Sequence, residues 1–263
     1  MLKTGIILKR LYERVESAVK NHKTADVRIG LGYTGVRLDN NATGIAAVLF
    51  DALPHGCTAI PTAGNFAGSP AADLLKFLVN GKNPLEIALG LACANALLET
   101  PADCGDNQEA TNYLNLKSGE KVAMVGLFAP LVDKIRASGA ILTVIEKNPQ
   151  RLEPLSEKDK KKALKNCDVA IITATTLLNN TFEETIGSLG RPRSVALLGP
   201  STPLAADIFR DTPVTHLGGV AVRDSVKVLQ IISEGGGTPA LRPYLRFVNL
   251  LLNCSEKDLS SIP

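Results

Sequence analysis

Ser194-Val195-Ala196-Leu197-Leu198-Gly199-Pro200-Ser201-Thr202-Pro203-Leu204 reads as a buried strand that stops at a glycine and leaves past two prolines. Thr202 is placed to cap a helix whose first position is Pro203, where a missing N–H costs nothing. Ser201 would then sit on a rigid strand-to-helix crossing. In parallel sheets such crossings present unpaired backbone donors at the carboxyl edge, and ligands bind there. Gly199, Pro200, Ser201 and Thr202 are therefore expected to face a small ligand.

The same rhythm extends outward. Val122 to Leu127 reads as a strand and Pro130 to Ser138 as a helix ended by Gly139. Ile141 to Glu146 is the next strand, followed by a lysine-rich helix, and Asp168 to Ala174 is a third. Thr181 and Glu184 have capping-box spacing. Pro213 to Leu217 is expected as strand five, and Asp224 as the cap of a helix over Ser225 to Glu234. Continuous apolar strands alternating with helices predict a parallel sheet covered on both faces, an α/β, Rossmann-like domain.

The first half differs. After an amphipathic N-terminal helix, Asp26 to Tyr33, Gly35 to Asp39 and Thr43 to Phe50 read as strands. Two helices follow, opening at Ser69-Pro70 and at Asn83-Pro84, the second with Glu86 completing a capping box. Strands first and helices afterwards imply a small α+β domain. The polar stretch Asp103 to Gly119 separates the halves, giving expected domains over residues 1–108 and 109–263.

Composition narrows the function classes. The chain has 263 residues, a formal net charge of +3, no tryptophan and 4% aromatics, which argues against nucleic acid as a partner. Its one dense basic run, Lys158 to Lys165, reads as a solvated helix face. No apolar run reaches the roughly 20 residues of a membrane span. With no signal-peptide pattern, a cytoplasmic location is expected. Five scattered cysteines without a CxxC pair read as reduced thiols. The apolar stretch Tyr244 to Leu252 suits either core or a homo-oligomer interface.

Gly30-Leu31-Gly32-Tyr33-Thr34-Gly35 matches a dinucleotide fingerprint by letter, but strand and turn follow it where a helix is required. The true first crossing is Gly126-Leu127-Phe128-Ala129-Pro130, which keeps only the first glycine. Gly126 and Phe128 are candidate ligand residues there, and Ala129 offers no capping oxygen. Glu146 stands twenty residues after Gly126, where dinucleotide folds place a ribose-binding acid; an exposed acid at a strand end is the alternative. Thr173, Thr175, Thr176 and Asn179 cluster after the third strand and complete the expected ring of donors. For metal, His55, Cys57 and His216 are the available soft ligands, without the spacing of a built site. Ser201, His216 and Asp224 are the residue types of a hydrolytic triad, without its nucleophile elbow.

Val125-Gly126-Leu127-Phe128-Ala129-Pro130-Leu131-Val132, Asp168 to Thr181 and Gly199-Pro200-Ser201-Thr202-Pro203 together resemble motifs of the "putative heavy-metal chelation" family. Ile29 to Thr34 and Ala92-Cys93-Ala94-Asn95-Ala96 resemble it more loosely. The resemblance implies a first domain similar to the enolase N-terminal domain, a Rossmann-like second domain, and an active site in the cleft between them. Asn95 would be the first-half residue facing that cleft, with a satisfied helix amide as the alternative. Enolase chemistry is not implied, because the catalytic barrel is missing.

The expected function is binding of a small anionic or metal-chelating metabolite between the domains, with a role in heavy-metal chelation and room for catalysis. A heavy or transition metal is the implied cofactor. The alternative is a nucleotide- or S-adenosylmethionine-dependent small-molecule enzyme.

Overall fold

A computed structural model describes residues 5–53, 56–99, 108 and 110–252. Helix α1 (Ile6–Val19) buries Ile7, Leu8, Leu11, Val15 and Val19, a stripe at helical spacing. Strands β1 (Thr24–Ile29), β2 (Tyr33–Leu38) and β3 (Thr43–Ala47) form an antiparallel meander, with the β1–β2 turn at the glycines Gly30 and Gly32. Helices α2 (Ala71–Leu75), α3 (Phe77–Asn80) and α4 (Pro84–Leu97) follow. The opening of α4 is as expected: Asn83 Oδ1 accepts from the N–H groups of Leu85 and Glu86. Glu86 completes the cap one residue further out, accepting from Lys82 N–H. The Ser69 hydroxyl instead donates to Phe66 C=O, and α2 begins after Pro70 with no side-chain cap.

The second half runs through α5 (Thr111–Leu114), β4 (Lys121–Val125), α6 (Ala129–Ala137), β5 (Ile141–Ile145), α7 (Glu157–Asn166) and β6 (Val169–Thr173). It continues through α8 (Thr175–Leu178), α9 (Phe182–Gly187), β7 (Ser194–Leu198), β8 (His216–Val222), α10 (Ser225–Ser233), α11 (Thr238–Leu241) and β9 (Leu245–Leu251). The sheet order is β5-β4-β6-β7-β8-β9, parallel except for the β8–β9 pair. The chain steps from β4 outward to β5 and then returns past β4 to β6. That reversal is the topological switch point at which open α/β sheets bind ligands. The fifth parallel strand begins at His216, three residues later than the apolar pattern suggested, and the apolar segment before residue 252 is the antiparallel edge strand β9. Asp224 caps α10, accepting from Lys227 N–H.

Strand alternation decides which core each residue joins. Val122, Met124, Val169, Ile171, Ala196 and Leu198 face a cluster with Leu114, Ile135 and Ala140. Their neighbours Ala123, Ala170, Ile172, Val195 and Leu197 face the opposite way and merge with the core of the first half, including Ile7, Leu11 and the α4 residues. The three-stranded sheet is itself covered on both sides. Val36, Leu38 and Ala46 pack in the α4 core, whereas Ile45 packs with Val228 and Ile232 of α10. The Glu183 carboxylate accepts from Ile7 N–H (3.3 Å), Arg10 reaches Asp211 (2.9 Å), and Tyr33 bonds Thr238 (2.7 Å). The halves are thus joined by a shared core and by hydrogen bonds.

Candidate functional site

A cleft of about 1010 Å³ opens at the carboxyl edge of β5, β4 and β6, at the switch point. Its floor is the turn after β4 (Gly126, Leu127, Phe128) and the threonines after β6. The loop after β5, from Glu146 to Arg151, and the α7 lysines Lys160 and Lys161 make one wall. Asn179, Thr181, Glu184, Thr185 and Ser188 make another, and residues 47–52 from the first half form the roof.

Gly126 sets the floor. Its φ is +83°, and a Cβ there would lie 2.7 Å from Thr173 Cγ2, so only glycine lets the two turns meet. Phe128 is the cap residue of α6, and no side chain caps that helix. Thr173 and Thr175 bond hydroxyl to hydroxyl at 3.0 Å, which commits one proton of the pair and leaves the other for a ligand. The Thr176 hydroxyl is spent on Thr173 C=O (2.7 Å). Thr181 does not cap α9. Its hydroxyl donates to Asn179 Oδ1 (2.6 Å), leaving the Asn179 amide N–H groups for the cleft.

Glu146 is only 7% exposed, and it organises the wall. It accepts from the backbone N–H groups of Leu127 (3.1 Å), Lys147 (2.8 Å) and Asn148 (3.1 Å), and from Arg151 Nη1 (2.9 Å). Burial pushes its carboxyl upward, but those backbone donors and the guanidinium outweigh burial and hold it below the usual carboxylate range. A ribose diol would have to displace these donors, so nothing here favours a nucleotide.

The remaining expected ligand residues lie elsewhere. Ser201 and Thr202 are 1% and 2% exposed, and no helix begins at Pro203; the next helical turn is a 3-10 turn at Ala206–Phe209. Ser201 Oγ accepts from Ala47 N–H (2.8 Å), and Asn95 Nδ2 donates to Ile45 C=O (3.1 Å). Ile45 and Ala47 pair with Gly35 and Tyr33 in β2 and turn these groups toward the free edge of β3. Asn95 and Ser201 close that edge, and neither they nor Gly199, Pro200 and Thr202 line the cleft. The triad residues have separate tasks. Ser201 serves β3, Asp224 caps α10, and His216 is buried against Tyr113 with Nε2 on Asn249 (2.9 Å).

The pattern of residues missed the roof (Phe50, Asp51), the loop residues Lys147, Asn148 and Arg151, and Thr185 and Ser188 of the far wall. The loop residues carried a signal, since Asn148-Pro149-Gln150-Arg151 is itself a strand-to-helix crossing at the sheet edge. The roof carried none. Asp51 reaches the loop only in three dimensions, accepting from Asn148 Nδ2 (3.2 Å).

Among the described residues no group of three or more His, Cys, Asp or Glu side chains is arranged to hold a metal ion. Cys57 is exposed, His216 is buried elsewhere, and His55 lies outside the described residues. A resident metal held by the described side chains does not fit.

Fold and cleft together define a mixed α/β protein with a crevice at the switch point of a six-stranded, mostly parallel sheet, and a separate small antiparallel sheet in the same chain. Two family models, both described as "putative heavy-metal chelation", match residues 109–251 and 12–98, and the chain belongs to the DUF364 family. It is 24% identical over 234 residues to an uncharacterized protein of Methanocaldococcus jannaschii, covering 85% of this chain and 88% of that one. Its fold is similar to that of a DUF364 protein of unknown function from Pyrococcus horikoshii (TM-score 0.78, 18% identity, 93% of this chain and 99% of the other). A second, from Desulfitobacterium hafniense, gives a TM-score of 0.74 at 19% identity over 92% of this chain and 99% of the other.

Proposed function

We propose that this chain binds a small anionic or metal-chelating metabolite in the cleft between a first unit over residues 1–108, resembling the enolase N-terminal domain, and a Rossmann-like unit over residues 109–263. The observation that carries the reading is the cleft itself, of about 1010 Å³, at the switch point, with the uncapped α6 and the Thr173–Thr175 pair turned into it. The family description supports a role in heavy-metal chelation. Because the described side chains do not assemble a metal site, a heavy or transition metal in this reading arrives already held by an organic chelator. The protein then supplies hydroxyl, amide and cationic contacts to the chelate. Among the described residues no helix is long and apolar enough to cross a membrane.

The test is native mass spectrometry with elemental analysis on protein purified without oxygen or added chelator. The expected result is an organic adduct, with or without stoichiometric metal, that is lost in Thr175→Val and Asn179→Ala. An adduct that survives both substitutions would remove the cleft as its location.

A further inference from the structure

We propose that Arg151 is the oxyanion-binding residue of this cleft, its guanidinium held ready for a carboxylate or phosphate group of the ligand. The inference rests on the reading of the cleft as a small-anion site and assigns the group that recognises the anion.

Arg151 is fixed at both ends of its fork. Nη1 donates to Glu146 Oε2 (2.9 Å) and Nη2 to Leu127 C=O (2.8 Å). Glu146 in turn accepts from Leu127 N–H, so one carboxylate and one guanidinium hold the backbone of the same residue, one at its N–H and one at its C=O. A guanidinium has five N–H donors. Two are committed in these bonds, which leaves three, and the side chain is half exposed where it lines the cleft. An arginine that is already immobilised loses little further freedom when it binds an anion, and its planar fork matches carboxylate or phosphate geometry.

The surroundings point the same way. Leu127, whose carbonyl holds Arg151, immediately precedes Phe128, the cap residue of α6, and no side chain answers the donors of that helix. Lys147 and Lys161 line the same wall. Three of the four lining acids are engaged, and the fourth, Glu184, stands on the opposite wall. Glu146 shares its charge among three backbone N–H groups as well as Arg151, Glu157 is paired with Lys160 (2.7 Å), and Asp51 accepts from Asn148. A purely structural ion pair would need only the Glu146 contact. The exposed remainder of the fork, aimed along a cleft wall beside an uncapped helix, is what a ligand oxyanion would use.

The experiment is a titration of the full, isotope-labelled chain with citrate and, separately, with inorganic phosphate, with sodium chloride at matched ionic strength as the control. NMR follows Arg151 Nε–H, the amides of Leu127 and Ala129, and the amides of Thr173, Thr175 and Asn179. The expected result is saturable shifts at Arg151 and Ala129 with one or both oxyanions and none with chloride. Arg151→Lys keeps the charge and loses the fork, and it should weaken binding roughly tenfold or more. Lys162→Ala removes a full positive charge from outside the cleft and should leave affinity within about twofold. Shifts confined to Thr173, Thr175 and Asn179, or an Arg151→Lys variant that binds as tightly as the parent, would overturn the Arg151 assignment and leave the cleft reading standing. Absence of any saturable shift in the cleft at high citrate and phosphate would overturn both.

Discussion

The crossings that leave the sheet at Gly126 and at Gly199 begin alike. Each follows a buried parallel strand, each turns on a glycine at positive φ (+83° and +121°), and each leads on to a proline. After Gly126 a helix starts without a cap and faces a cleft. After Gly199 no helix starts before the 3-10 turn at Ala206–Phe209, and Ser201 and Thr202 are buried, with Ala47 N–H of β3 seated on Ser201 Oγ. A strand-to-helix crossing is therefore only an opportunity for binding. Which chain segment is packed over it decides whether a ligand or another strand takes up its polar groups.

The sharpest way to break this contrast is to add one methyl group at each glycine. Gly126→Ala combines an unfavourable backbone angle with a Cβ placed 2.7 Å from Thr173 Cγ2. It should cost about 2–4 kcal/mol in urea unfolding and abolish the bound adduct. Gly199→Ala meets no atom within 4 Å and should cost only the backbone strain, about 1–2 kcal/mol, with the adduct retained. Equal loss of the adduct in both variants would mean that the Gly199 crossing belongs to the site after all.

The sealed side also carries an acid-sensitive group. Burial pushes the His216 ring down to about 4 from its ordinary 6.5, partly offset by the Asn249 bond, and its Nδ1 has no partner. The unfolded chain takes up the proton first, so stability is complete above about pH 6.5 and falls as pH drops toward 4. The slope is about 1.4 kcal/mol per pH unit. His216→Phe should flatten that slope between pH 6.5 and 5, as read from denaturation midpoints, and an unchanged slope would assign it to another group.

Ser201→Ala removes the acceptor of Ala47 N–H and should destabilise by about 1–2 kcal/mol without altering ligand retention. Retention measured on the same sample separates a fastener of β3 from a ligand contact. The smallest effect belongs to the roof. Asp51→Ala breaks the exposed contact to Asn148 and should change stability by less than about 1 kcal/mol. It should nevertheless speed ligand release, measured by adduct exchange, because it frees the roof from the loop wall.

Much of the α/β half was legible because its signals are local. Apolar runs of strand length, Gly139 after a helix, and Asp224 and Asn83 before one all act within a few residues, and all are found in place. The cluster Thr173, Thr175 and Asn179, together with Gly126, Phe128 and Glu146, was found by asking what stands at strand ends, and all six line the cleft. The errors came where a local signal had two outlets. Thr181 had capping spacing, but its hydroxyl found Asn179 closer to hand. Arg151 was passed over because a single arginine in a polar loop looks the same whether or not a buried carboxylate fixes it.

Sequence alone determined strands β4 to β7, the helix starts at Asn83 and Asp224, the turn at Gly126 and the family, because periodicity, capping and backbone angle depend on neighbours in the chain. Tertiary structure alone decided that Ser201 and Asn95 bond β3 while Thr173 and Arg151 line the cleft. A polar group at a sheet edge must be satisfied, but its partner is whatever the fold brings near. For Ser201 that partner is the backbone of Ala47, 154 residues away along the chain.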